Sequence, residues 1–165
     1  MNKTKRKIFE TSMELFAKKG YEATSIEEIT SVVGVAKGTL YYHFSSKEEI
    51  FYFLIEEGMK LLKNSIDIKT SNLENSLDKL KAIILIQIKI IVKYENFISM
   101  LLSQIWGQEP RNKKCREYVY EYINMIEDII KQGIKAGELV EGDSSVIASR
   151  NIWIYLFNND IQIKT

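Results

Sequence analysis

Apolar residues recur every three to four positions along nearly the whole chain, the period of an amphipathic α-helix. Between Lys3 and Lys19, Ile8, Ser12, Leu15 and Phe16 share one face, and the small Ser12 permits close packing. Lys18 and Lys19 suit the negative end of this helix, and Gly20 is placed to supply a left-handed cap. Ser25 opens a second helix, with Glu28 three residues on in the pattern of a capping box. Gly34 ends it, and a third helix covers about 36–44. Ser46 and Glu49 repeat the capping-box spacing and open a longer helix toward Leu62. The polar stretch 65–75 reads as the link to the next helices, over about 74–95 and 97–106, the latter ending at Gly107. Isoleucines within 82–92 also suit a strand, but Leu73, Leu77, Leu80 and Ile84 lead into them at helical spacing without a turn residue. Pro110 then starts a helix that runs to about Ala136 and stops at Gly137. Asp143 or Ser144 caps a final helix through Ile147, Ile152 and Leu156.

The pattern therefore predicts an all-α protein, and the single proline agrees with it. With 45% apolar and 27% charged residues in 165, the chain can bury a real core. The formal net charge is only +1, so any nucleic-acid binding must come from a local patch. Lys3, Lys5, Arg6 and Lys7 form one such cluster at the N-terminus. One cysteine and one histidine exclude an internal disulfide and a zinc cluster, and no metal or cofactor is expected. Cys115 lies beside Lys113, Lys114 and Arg116, which would lower its pKa, or it is an ordinary helix thiol. The longest apolar run, Ala82 to Val92, contains Gln87 and Lys89 and falls short of the ~20 residues that span a bilayer. No apolar run follows the N-terminal basic residues to make a signal peptide, so a cytoplasmic protein without a membrane partner is expected.

The candidate chemistry is concentrated between Thr24 and Lys47. Two short helices joined by Gly34 form a helix-turn-helix, an arrangement that fits a DNA major groove. Leu40 and Phe44, four apart, turn inward and leave Lys37, Gly38, Thr39, Tyr41, Tyr42 and His43 largely outward. Lysine and hydroxyl groups bond phosphates or base edges, a glycine admits close backbone approach, and a tyrosine ring can touch a thymine methyl. Lys47 at the start of the fourth helix, and Thr24 and Ser25 at the start of the second, lie beside free backbone N–H groups suited to anions. The acids Glu27, Glu28, Glu48 and Glu49 read as helix-start residues, and no nucleophile, acid and base share a spacing that would make an enzyme.

From Ile8 to Leu54 the sequence resembles the N-terminal domain of the TetR family of bacterial transcriptional regulators. The resemblance is carried by Phe16, Gly20, Tyr21, Thr24, Ile29, Gly34, Val35, the run Lys37-Gly38-Thr39-Leu40-Tyr41-Tyr42-His43-Phe44, and Lys47. It implies phosphate contacts from Thr24, Ser25, Tyr42, His43 and Lys47. It also implies contacts to bases or adjacent backbone from Lys37, Gly38, Thr39 and Tyr41. Ala36 departs from the pattern, since a Ser or Thr there would add a cap worth ~1 kcal/mol, and Thr30 replaces a common alanine.

The resemblance divides the chain into a DNA-binding domain, 1–46, and a helical ligand-binding and dimerisation domain, 47–165. It implies a homodimer, the form in which a repressor binds a palindromic operator and responds to a small-molecule effector of unknown identity. Residues available to line an effector pocket are Phe53, Met59, Tyr94, Phe97, Met100, Trp106, Tyr118, Tyr122 and Met125; the same residues equally suit a helical core. A ligand that prefers one tilt of the fourth helix would change the separation of two recognition helices. Family members usually end in two long helices, whereas this sequence stops five residues after Asp160, so a C-terminus that is short is expected. Ile147, Trp153, Ile154 and Phe157 remain as a partner surface. The alternative function is a small-molecule-binding or protein-interaction protein that does not bind DNA productively because of that short end.

Overall fold

A computed structural model describes residues 2–150, and every regular element among them is helical. The helices are α1 (Lys3–Lys19), α2 (Ile26–Val33), α3 (Lys37–His43), α4 (Lys47–Thr70), α5 (Ser76–Lys93), α6 (Glu95–Ser103) and α7 (Pro110–Lys135). A single 3-10 turn, Gln104–Trp106, continues α6, and the chain is helical again over 144–150. Ile152, Trp153, Ile154, Leu156 and Phe157 lie outside the described residues.

The helix ends follow local chemistry, with some departures from expectation. Asn2 caps α1 by accepting the Lys5 N–H at 2.8 Å. Gly20 has a positive φ of 83° but an extended ψ of 165°, so it turns the chain sharply without the left-handed helical cap expected of it. Gly34 is left-handed helical (φ 75°, ψ 40°), a conformation that a side chain would strain. Ser25 and Ser46 each accept the N–H three residues on, from Glu28 and Glu49, both at 3.1 Å. The two glutamates do not return the bond as a full capping box would. Glu28 pairs with Lys19, and Glu49 accepts from the N–H and hydroxyl of Ser45.

The largest difference from the sequence pattern is in α4, which continues to Thr70 through residues expected to form a link. Ile66, 2% exposed, anchors this part of the helix in a core. The Ser65 and Thr70 hydroxyls donate to the carbonyls of Leu61 and Ile66, one turn back, at 2.7 and 2.9 Å. The true link is shorter, and Asn75 caps α5 by accepting from the N–H groups of Leu77 and Asp78.

The described residues form two compact units, to both of which α4 and α7 contribute. The first comprises the chain up to Lys60 with Lys93–Cys115. In it α1 packs on α2 and α6. Ile8, Phe16, Ile29, Val33, Leu40, Phe44, Ile50, Phe51 and Leu54 are all buried, and the Phe51 ring lies 5.0 Å from Tyr21 and 6.1 Å from Phe16. Cys115 is buried here too. Asn112, 3% exposed, holds the turn before α7 by accepting from the Glu109 N–H and donating to the Gln104 carbonyl.

The second unit comprises Leu61–Val92 and residues 116–150. Its core is Ile66, Ile83, Ile126, Ile130 and Ala148. Gly137, at φ 72°, closes α7 in a Schellman motif, with the Gly137 and Glu138 N–H groups donating to Ile134 and Gly133 at 3.0 and 2.8 Å. Asp143 caps the helix that follows, accepting from the Ser145 and Val146 N–H groups, and Ile147 is 43% exposed. None of the described helices is long and apolar enough to cross a membrane.

Candidate DNA-binding surface

With seven residues, α3 is too short to persist on its own and depends on what it packs against. Leu40 (0% exposed) and Phe44 (1%) fix it to the first core, as their spacing predicts. No side chain caps its N-terminus, in keeping with Ala36. Thr30 is accommodated, since its hydroxyl donates to the Glu27 carbonyl at 2.9 Å.

Anchoring one face presents the other. Lys37, Gly38 and Thr39 are exposed, Tyr41 is 45% exposed and Tyr42 84%, while His43 is half-buried with its ring 5.0 Å from that of Tyr42. Gly38 has ordinary helical backbone, and a Cβ built on it would meet no protein atom within 4 Å. A glycine inside a helix costs about 1 kcal/mol relative to alanine. Nothing inside the fold requires that cost at Gly38.

The Lys37 ammonium pairs with the Glu27 carboxylate on α2 and lies 5.9 Å from the centre of the Tyr41 ring. This hydrogen bond holds Glu27 below the usual carboxylate range and raises Lys37. Ser25 is exposed, its hydroxyl occupied in capping α2.

Two of the nine candidate contacts are turned into the protein. Thr24 is 1% exposed and its hydroxyl donates to the Gly20 carbonyl at 2.9 Å. The Lys47 ammonium donates to the carbonyls of Tyr21 and Thr24 at 2.9 and 3.0 Å, and sits 4.3 Å from the Tyr21 ring centre. The turn between α1 and α2 has no helical partners for these carbonyls, and the lysine supplies them. Lys47→Met therefore leaves the part-buried Thr24 carbonyl unpaired and the Tyr21 carbonyl with only the Thr24 N–H, at 3.4 Å. We expect a loss of about 1–3 kcal/mol in urea unfolding, where a lysine serving only DNA would show none.

Of the N-terminal basic cluster, Lys5 is half-buried, while Lys3, Arg6 and Lys7 are exposed. Lys5 lies 4.2 Å from the Phe53 ring centre and 5.1 Å from that of Phe44. Lys7 donates to the Val33 carbonyl at the end of α2 at 2.7 Å, and Arg6 pairs with Glu10 on its own helix.

Sequence spacing gives no sign of Arg111. Its guanidinium stacks 4.7 Å from the Tyr21 ring centre, pairs with Glu22 and donates to the Gln104 side chain at 3.2 Å. Tyr21 is 4% exposed, and burial, followed by the charge of Glu48, pushes its phenol well above the usual range. The turn that opens the helix-turn-helix is thereby fastened to the first turn of α7. Glu22 and Arg111 are 89 residues apart, which no local pattern could reveal.

The pocket candidates are divided between the two units. Met59, Tyr94, Phe97, Met100 and Trp106 belong to the first, with Met100 buried and Trp106 69% exposed. Tyr118, Tyr122 and Met125 belong to the second and are half-buried; Tyr122 and Met125 pack on its core.

A short helix set by a left-handed glycine against its predecessor, with a hydroxyl- and aromatic-rich outer face, defines a helix-turn-helix protein of the DNA-binding class. Residues 8–52 match the family model of bacterial regulatory proteins of the tetR family. The chain belongs to that family. A solved structure from Clostridium perfringens, named for a proposed role in regulating fatty acid metabolism, is similar with a TM-score of 0.82 and 36% identity, covering 93% of this chain and 86% of that one. The Bacillus subtilis transcriptional regulator YerO, itself uncharacterized, is 31% identical over 99% of this chain. The chain spans 60% of that relative's length. The fatty acid metabolism regulator protein of Bacillus subtilis is 27% identical, over 82% of this chain and 70% of its own.

Proposed function

We propose that this protein is a ligand-responsive, cytoplasmic transcriptional repressor that binds a palindromic operator as a homodimer through α3. The observation that carries the reading is the outer face of α3, where Lys37, Gly38, Thr39, Tyr41 and Tyr42 stand exposed together. Lys37, Thr39 and Tyr41 meet bases or the adjacent backbone. Ser25, Tyr42 and His43 meet phosphates. Thr24 and Lys47 act indirectly, by holding the turn that positions α2.

The effector we infer is a fatty acid or a derivative of one, bound among the apolar side chains of the helices beyond α3. Two relatives carry names from fatty acid metabolism, which supports that class. Binding would act through α4 and α7. Movement of the first turn of α7 pulls on Tyr21 and Glu22 through Arg111, and so on the turn before α2. In a dimer, a small rotation there changes the distance between two α3 helices, and fixed half-sites no longer match.

Gly38→Ala separates the fold from this function. Alanine fits the free space and favours the helix, so stability should rise by about 0.5–1 kcal/mol in thermal unfolding. Operator affinity, read by fluorescence anisotropy, should fall roughly tenfold or more, because the methyl group stands between α3 and the groove. Equal affinity in wild type and variant would take Gly38 out of the docking face.

A further inference from the structure

Lys37 opens α3 and Glu27 lies in the first turn of α2, and their charged ends meet across the helix-turn-helix. Both side chains are more than half exposed, at 52% and 65%. A pair so open to water adds little to folding, so stability does not account for it. Its effect falls on DNA. Non-specific binding is driven by cations that displace counterions from phosphates, each adding about 0.9 to the salt slope. A lysine already neutralised by its own carboxylate gains little by moving to a phosphate, and the carboxylate it leaves is repelled there. A specific complex differs, since base-edge acceptors replace the carboxylate with directed hydrogen bonds.

We propose that Glu27 is a specificity-determining residue, an intramolecular counter-ion that withholds Lys37 from phosphates and so suppresses binding to non-operator DNA. The inference rests on the reading of α3 as the DNA-binding helix. A second ion pair reaching α2 among the described residues, Lys19 with Glu28, lies on the side of α1 and gives a control of equal charge.

The test compares duplex binding by wild type, Glu27→Gln, Glu28→Gln and the double variant Glu27→Gln with Lys37→Met. The probes are a random-sequence duplex and a duplex selected by the wild type. Glu27→Gln should bind random duplex roughly tenfold tighter, with a salt slope steeper by about 0.9. Its affinity for selected duplex should rise less, so that discrimination falls. Adding Lys37→Met should cancel the gain, and Glu28→Gln should show a smaller one. Unchanged discrimination in Glu27→Gln, or a gain that survives Lys37→Met, would overturn the proposal. A second readout needs no DNA. By NMR titration the Glu27 carboxyl should titrate below an ordinary glutamate and return toward it in Lys37→Met. Failure of that return defeats the pair itself, even where DNA binding is normal. A return without any duplex binding by the wild type defeats instead the reading of α3, and the proposal with it.

Discussion

Replacing Lys37, Thr39 and Tyr42 together with alanine should lower operator affinity by roughly a hundredfold or more and leave the fold intact. These side chains supply base and phosphate interactions, and a bidentate bond to a base carries about a tenfold discrimination or more. Tyr42 is 84% exposed, and Lys37 and Thr39 are also exposed, so the core keeps its packing without them. Changes at such positions usually alter stability by less than about 0.5 kcal/mol. Anisotropy titration and thermal unfolding of one preparation give both quantities. Binding that survives the triple replacement would place the DNA interface elsewhere, and a large drop in melting temperature would give these residues a role in the fold.

Leu40→Ala should have the opposite character. Its side chain is fully buried and is one of two that hold α3 down. Truncation removes buried apolar area and leaves a cavity, at a cost of about 2–5 kcal/mol. With only seven residues, α3 has no independent stability to draw on, and DNA binding should disappear along with packing. Urea unfolding followed by circular dichroism measures the first effect. Leu40→Met, which keeps the volume, should cost less than about 1.5 kcal/mol and retain most binding. If Leu40→Ala bound DNA like the wild type, α3 would not need its anchor, and its packing would not be what presents the surface.

The helices are legible in the sequence because their signals are local. Gly34, Pro110 and Gly137 mark ends that the structure places where the sequence does, and the Leu40 and Phe44 spacing assigns the two faces of α3 correctly. The polar composition of 65–75 misleads, because a helix with few buried positions, here Ile66, tolerates polar residues all around it. Thr24 and Lys47 suit DNA by type and place, but type does not disclose where a hydroxyl or ammonium finds its partners. Both satisfy carbonyls in the turn between α1 and α2. The interactions of Arg111 with Tyr21 and Glu22 depend on tertiary proximity alone. Glu27 reads as a helix-start residue, which it is; its pairing with Lys37 spans ten positions and a turn, beyond any helical spacing rule.

The central claim is that α3 reads DNA, in two copies at a fixed separation. It is tested most directly by selecting duplexes from a random pool with the whole 165-residue chain, alongside its Lys37, Thr39 and Tyr42 triple alanine variant. The wild type should enrich an inverted repeat, with half-sites about one helical turn or a multiple of it apart, and the variant should not. A folded wild type that enriches no sequence, or a variant that enriches the same repeat, would contradict the claim.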